Sequence, residues 1–174
     1  MFRYTVLAET PGWGRLGVVV TPAGLVAVLW GEEAARAAPG LEGEADVPTF
    51  QALRCGASRW LAHVQAYLRG ERRRFPMEIA WGVLPPFRRQ VLRAVAAIPY
   101  GETRTYGQIA AAIGRPGAAR AVGQAVAANP MPLVIPCHRV VGAKGKLHGF
   151  SGPGGAVTKA RLLALERSVQ EARQ

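Results

Sequence analysis

The stretch Asn129-Pro-Met-Pro-Leu-Val-Ile-Pro-Cys-His-Arg-Val-Val141 sets a cysteine between a proline and a histidine, at the end of the apolar run Leu133-Val134-Ile135. That run reads as a short buried segment. Pro136 fixes its own φ and biases Ile135 toward an extended conformation, so Cys137 is held in a set direction. A thiolate is a strong nucleophile, but an unperturbed cysteine, with a pKa of roughly 8.5, is only a few per cent ionised at neutral pH. His138 and Arg139 put a base and a fixed positive charge next to the sulfur. Successive side chains diverge, so His138 reaches Cys137 more easily through a bridging water than directly. A lone cysteine is more often inert core filler, yet prolines on one side and His-Arg on the other favour a nucleophile.

Pro136-Cys-His-Arg-Val140, preceded by Asn129-Pro and followed by Gly149-Phe-Ser-Gly152, resembles the O6-alkylguanine-DNA alkyltransferases, the methylated-DNA–protein-cysteine methyltransferases. Ile98-Pro-Tyr-Gly-Glu102, Thr105-Tyr-Gly-Gln-Ile-Ala110 and Ala118-Ala-Arg-Ala-Val-Gly123 resemble the same family in its order and spacing. The resemblance covers about residues 84–166 closely and the earlier half more loosely. It implies a mixed α/β (α+β) fold in two domains. Residues 1–83 would form a small ribonuclease-H-like α/β supporting domain. Residues 84–174 would form a mainly helical, winged helix-turn-helix DNA-binding domain carrying the active-site cysteine.

Composition agrees with such a chain. At 174 residues and 49% hydrophobic content it can pack one domain or two small ones. No apolar run reaches the ~18 residues of a membrane span, and no signal peptide opens the chain, so a soluble, cytoplasmic protein is expected. Two cysteines, one of them a nucleophile, point to a reducing compartment. Cys55 lies in a helical pattern and reads as core filler. No Cys/His cluster has zinc spacing, and the ligands that some relatives carry in the first half are missing. Residues 1–80 hold nine Lys+Arg against eight Asp+Glu, whereas residues 81–174 hold thirteen against three. A neutral first half and a basic second half suggest that the second meets a polyanion.

Phe2–Leu7, Leu16–Val20 and Leu25–Trp30 read as strands, with a turn at Thr21–Gly24. A short helix is expected near Glu32–Ala38, a longer one over Phe50–Leu68, and a further strand at Phe75–Trp81. Arg72-Arg73-Arg74 reads as a solvated turn, with contact to phosphate as the alternative. Leu84-Pro-Pro-Phe87 marks the boundary between the halves and opens a helix with apolar positions Phe87, Val91, Leu92 and Val95. Thr105-Tyr-Gly-Gln108 has the form of a capping box, so a helix starts there, carries Ile109 and Ile113 inward and stops at Gly114. Arg115-Pro116 is expected to open a second helix, ending near Asn129. Two short helices around a tight turn fit a helix-turn-helix. In the second, Ala119, Val122 and Val126 form the buried stripe. Its other face shows Gly117, Arg120, Ala121, Gln124 and Ala128, one long cation among small side chains.

The resemblance implies roles for these residues. Double-stranded DNA containing O6-alkylguanine would be bound through the minor groove and the lesion turned out of the stack, because its alkyl carbon is unreachable within the duplex. Arg120 would fill the vacated place. Tyr106 would crowd the phosphate and give its hydroxyl to the extruded base. Gly117, Ala121, Gln124, Arg139 and Ser151 would complete the DNA contact. Cys137 would attack the alkyl carbon, with His138 as base through a water, Glu166 orienting the imidazole and Asn129 bracing the surrounding turns. Phe150, Pro136 and Val140 would wall the pocket. The product is a thioether, so a monomer would act once, without cofactor or metal. Phe150 replaces a tyrosine frequent in the family, and Gly152-Pro-Gly-Gly155 is longer than the usual connection. Other readings stay open: a binder without transfer, which the retained cysteine disfavours, a Cys-His hydrolase or redox enzyme, and a DNA-binding regulator with a sensor thiol.

Overall fold

The computed structural model describes residues 2–75, 78–150 and 152–172. The chain divides into two compact units, Met1–Val83 and Leu84–Gln174. The first is built on an antiparallel sheet of order β3-β2-β1-β4, with β1 Arg3–Thr10, β2 Gly14–Thr21, β3 Gly24–Trp30 and β4 Gly40–Glu42. The three expected strands are all present: β1 runs three residues further, β2 gains residues at both ends and β3 starts one residue earlier. β2 is one of the two inner strands, and its run Leu16–Val20 is buried throughout, which is why it reads as continuous apolar sequence instead of alternating. Helix α1 is Glu32–Arg36. The edge strand β4 carried no apolar pattern and was not anticipated. Its register on β1 is held by backbone pairing and by an exposed Arg3–Glu42 ion pair at 2.6 Å.

Helix α2, Val47–Leu68, lies on β1 and β2 and buries Leu53, Ala57, Trp60, Leu61, Val64, Tyr67 and Leu68. Burial of each large apolar side chain contributes roughly 1.5–3 kcal/mol. The helix starts three residues before Phe50 because Asp46 accepts from the Thr49 amide at 2.8 Å and Pro48 suits the first turn. Cys55 corrects one expectation: it is exposed, on the outer face of α2. The strand expected at Phe75–Trp81 is reduced to a single bridge between Leu25 and Ile79, and Trp81–Val83 is a 3-10 turn. Pro76 and Met77 lie outside the described residues. Phe75 instead packs its ring on Trp60 and Tyr67, with centroids 5.9 and 5.7 Å apart.

The second unit is mainly helical: α3 Pro86–Ala96, α4 Tyr106–Ala112, α5 Ala119–Ala127 and α6 Gly155–Glu171, with a short parallel pair β5 Arg104–Thr105 and β6 Val140–Val141. The mixed α/β class, with an antiparallel sheet first and helices after, is the expected one. α4 carries the complete capping box: the Thr105 hydroxyl accepts from the Gln108 amide at 3.2 Å, and Gln108 accepts from the Thr105 amide at 2.8 Å. Gly114 follows it at φ +72°. α5 starts at Ala119, not at Arg115, because Gly117 sits at φ +93° and Arg115–Ala118 closes as a turn. Its buried stripe is Val122, Ala125 and Val126, while Ala119 is half-buried. No helix among the described residues is long and apolar enough to cross a membrane.

Candidate active site

Residues 131–142 are all buried, although they form almost no regular structure, so their polar groups need local partners. Asn129 supplies two of them. Its Nδ2 donates to the Ile135 carbonyl at 2.9 Å and its Oδ1 accepts from the Met131 amide at 3.0 Å. Leu133 is held at φ +73° within this loop, a conformation that costs an apolar L-residue of order 1 kcal/mol or more. The turn delivers Cys137 as the first residue of a 3-10 turn, Cys137–Arg139, with the residue 3% exposed at the floor of a pocket.

Behind the cysteine is a buried ionic cluster. His138 Nε2 lies 2.8 Å from Glu166 Oε1, and both side chains are fully buried. A carboxylate can only accept, so Nε2 carries the proton and Nδ1 keeps its lone pair. Burial holds the imidazole below its ordinary pKa despite the carboxylate beside it, which keeps it neutral and able to take a proton. Burial alone would raise the Glu166 carboxyl, but hydrogen bonds from His138 and Arg139 hold it at about 2. Its Oε2 also accepts from the Gly101 amide at 2.7 Å.

Arg139 is a correction to the sequence reading. Instead of reaching DNA it is 6% exposed. Its Nε and Nη2 donate to Glu166 at 2.8–3.0 Å, Nη1 donates to the Ile98 carbonyl at 2.7 Å, and the guanidinium lies 5.4 Å over the Tyr100 ring. Breaking such a buried pair from one side typically costs about 3–5 kcal/mol.

The pocket, about 990 Å³, is lined by Tyr106 from α4, by Arg120 and Gln124 from α5, by Cys137, and by His148 and Phe150 from the loop before α6. Tyr106, Arg120, Gln124, Cys137 and Phe150 thus line one pocket. Phe150 also meets His138 edge-on at 6.5 Å. Pro136 and Val140 are buried but do not line the pocket, and Val140 pairs in β6. Gly117 is exposed in the turn before α5 and Ala121 is half-buried on α5, both off the pocket. Ser151 lies outside the described residues.

Lys159 had no role in the sequence reading. It is 1% exposed, its Nζ donates to the Val140 carbonyl at 2.6 Å, and it stands 6.0 Å over the Tyr106 ring. Burial lowers its pKa, while negative charge at Cys137 raises it. The Tyr106 phenol is pushed up by burial and then by the same sulfur. A signal was available. Lys159, Leu162 and Glu166 recur at i, i+3 and i+7, one buried stripe of α6, so two charged residues occupied positions of an apolar face. Among the described residues no group of His, Cys, Asp and Glu is arranged to hold a metal ion.

The family model described as 6-O-methylguanine DNA methyltransferase, DNA binding domain, matches residues 86–168. A methylated-DNA–protein-cysteine methyltransferase of Mycolicibacterium paratuberculosis is 55% identical over 102 residues, 59% of this chain and 60% of that protein. One from Methanosarcina acetivorans is 48% identical over 112 residues, 64% of this chain and 68% of that protein. The matched segment therefore spans about 60% of the length of the first of these relatives. Among solved structures, Mycobacterium tuberculosis OGT in complex with DNA superposes with a TM-score of 0.74 at 37% identity, covering 95% of this chain and 93% of that one. The O6-methylguanine-DNA methyltransferase of Pyrococcus kodakaraensis shares the fold at a TM-score of 0.53 and 19% identity, covering 94% of this chain and 98% of that one.

Proposed function

The chain belongs to the O6-methylguanine-DNA methyltransferase family, and from that membership we propose that it repairs O6-alkylguanine in duplex DNA by moving the alkyl group irreversibly onto Cys137. The observation that carries the reading is the pocket itself: a buried cysteine at its floor, with a neutral His138 anchored to Glu166 behind it. The Cys137 proton passes through a water to His138 Nδ1. The thiolate then attacks the alkyl carbon opposite the C–O6 bond. The S–C bond forms, the C–O6 bond breaks, and its electron pair leaves with guanine, which is reprotonated. Glu166 stabilises the imidazolium, and Lys159 stabilises the thiolate beside it. No electrons are exchanged and the sulfur keeps the group, so the reaction calls for no metal or cofactor.

The second unit supplies the DNA contact and the first supports it. Gly117 and Ala121 allow close approach to the backbone, Arg120 takes the place of the extruded base, and Gln124 and Ser151 add polar contacts. Tyr106 offers its hydroxyl to the base, and Asn129 keeps the cysteine loop in place. The protein acts as a monomer in the cytoplasm, once per molecule. Titrating a methylated duplex against known amounts of protein tests this. One guanine restored per protein molecule is expected, and continued turnover with excess substrate would refute the acceptor role.

A further inference from the structure

The histidine of the pocket loop has no part in the chemistry above. His148 lines the pocket opposite α5, on the loop Gly142–Gly149, and its ring faces Tyr106 across 6.3 Å at an interplanar angle of 54°. The two rings meet as a tilted contact pair with no room for a base between them, so a base at this mouth would stack on the exposed imidazole. The imidazole is seated, although exposed. The Gly142 amide donates to the Lys146 carbonyl at 2.7 Å, closing the loop, and the imidazole lies so close over Gly142 that a Cβ there would collide with it. Gly142 has an ordinary φ of −72°, so its backbone conformation does not demand a glycine; a Cβ there would meet the imidazole and, at 3.1 Å, the Lys146 carbonyl. An exposed flat ring in the lining of the mouth suits one kind of ligand, a flat π-system. Stacking on aromatic side chains holds bases without regard to their pairing edge.

We propose that His148 is a base-stacking residue, against which the extruded O6-alkylated purine lies at the entrance to the Cys137 pocket. The inference rests on the base-extrusion reading and adds the residue that holds the base once it is out. Cys137, His138, Glu166 and Lys159 perform the chemistry below it, so the loss of His148 should weaken binding and spare the chemical step.

The test is saturation kinetics of alkyl transfer from O6-benzylguanine and from a single-stranded O6-methylguanine oligonucleotide, neither of which requires opening a duplex. His148→Ala should raise the half-saturating concentration about tenfold, the scale of one lost base stack, with the limiting rate within about twofold of wild type. His148→Phe should restore tight binding, because a flat ring suffices, whereas His148→Leu, apolar but not flat, should behave like the alanine variant. Gly142→Ala, which displaces the imidazole, should weaken binding in the native chain and add nothing to His148→Ala. Unchanged saturation in His148→Ala overturns the proposal, as does a phenylalanine variant no better than alanine. A wild-type protein that accepts no alkyl group would instead remove the active-site reading beneath it.

Discussion

Cys137 and Lys159 illustrate how one residue sets the chemistry of another. A buried sulfur needs compensation for its charge, and the Lys159 ammonium, fixed by the Val140 carbonyl, is close enough for each to influence the other's ionisation. Lys159→Met should therefore slow transfer to O6-benzylguanine by about tenfold, one pKa unit's worth of thiolate. It should also move the alkaline rise of the rate to higher pH, whereas Lys159→Arg should retain more of the wild-type rate. Pre-steady-state transfer across a pH series checks both. The same cluster predicts the acid stability. The Glu166 carboxyl is held at about 2 against an ordinary 4.5, so its contribution is complete above about pH 4.5 and is lost as pH falls toward 2. His138 is held below its ordinary 6.5. Below that pH the unfolded chain takes up a proton that the folded one resists, which also lowers stability. The thermal midpoint should decline from about pH 6.5 down to about 2. Glu166→Gln should remove the acid part of the decline and, by leaving Arg139 buried without its carboxylate, destabilise the neutral protein by about 3 kcal/mol.

Among the elements, α5 divides its residues between core and pocket most clearly. Val122, Ala125 and Val126 face inward, while Arg120 and Gln124 are exposed and line the cavity above Cys137. If Arg120 holds the vacated place in the stack, Arg120→Ala should slow transfer from duplex DNA about a hundredfold, the rate equivalent of a few kcal/mol of unstacking. Transfer from O6-benzylguanine should change less than about threefold, since that substrate needs no extrusion. Equal losses on both would assign Arg120 to the fold or the pocket chemistry. Such elements were legible because their signals are local: the Thr105–Gln108 capping box, the Pro86 start of α3, the Val122–Val126 spacing. β4 was not legible, being three residues without apolar pattern that pair only because β1 offers an edge. Arg139 was misread for a related reason. A guanidinium next to a nucleophile looks like an anion contact until a carboxylate 27 positions later in the chain arrives to bury it. Lys159 was missed because a lysine in a helix normally reads as surface.

At the scale of the molecule the charges are uneven, and residues 81–174 carry thirteen cationic side chains against three acidic ones. Arg139 and Lys159 are buried and Glu166 is internal, yet the remainder is still strongly basic. Binding to duplex DNA should therefore weaken linearly in log–log plots against salt, with a slope of about −3 or steeper for three or more displaced counterions. It should also discriminate little among undamaged sequences. Anisotropy titrations at several salt concentrations measure both. The central claim is that this half of the chain brings a damaged base to one sulfur. Tandem mass spectrometry of the protein after incubation with an O6-methylguanine duplex tests that most directly. The account predicts a single methyl group, on the peptide and the residue Cys137, and none in a Cys137→Ala variant that still binds the duplex. An unmodified protein, or a methyl group on any other residue, would contradict it.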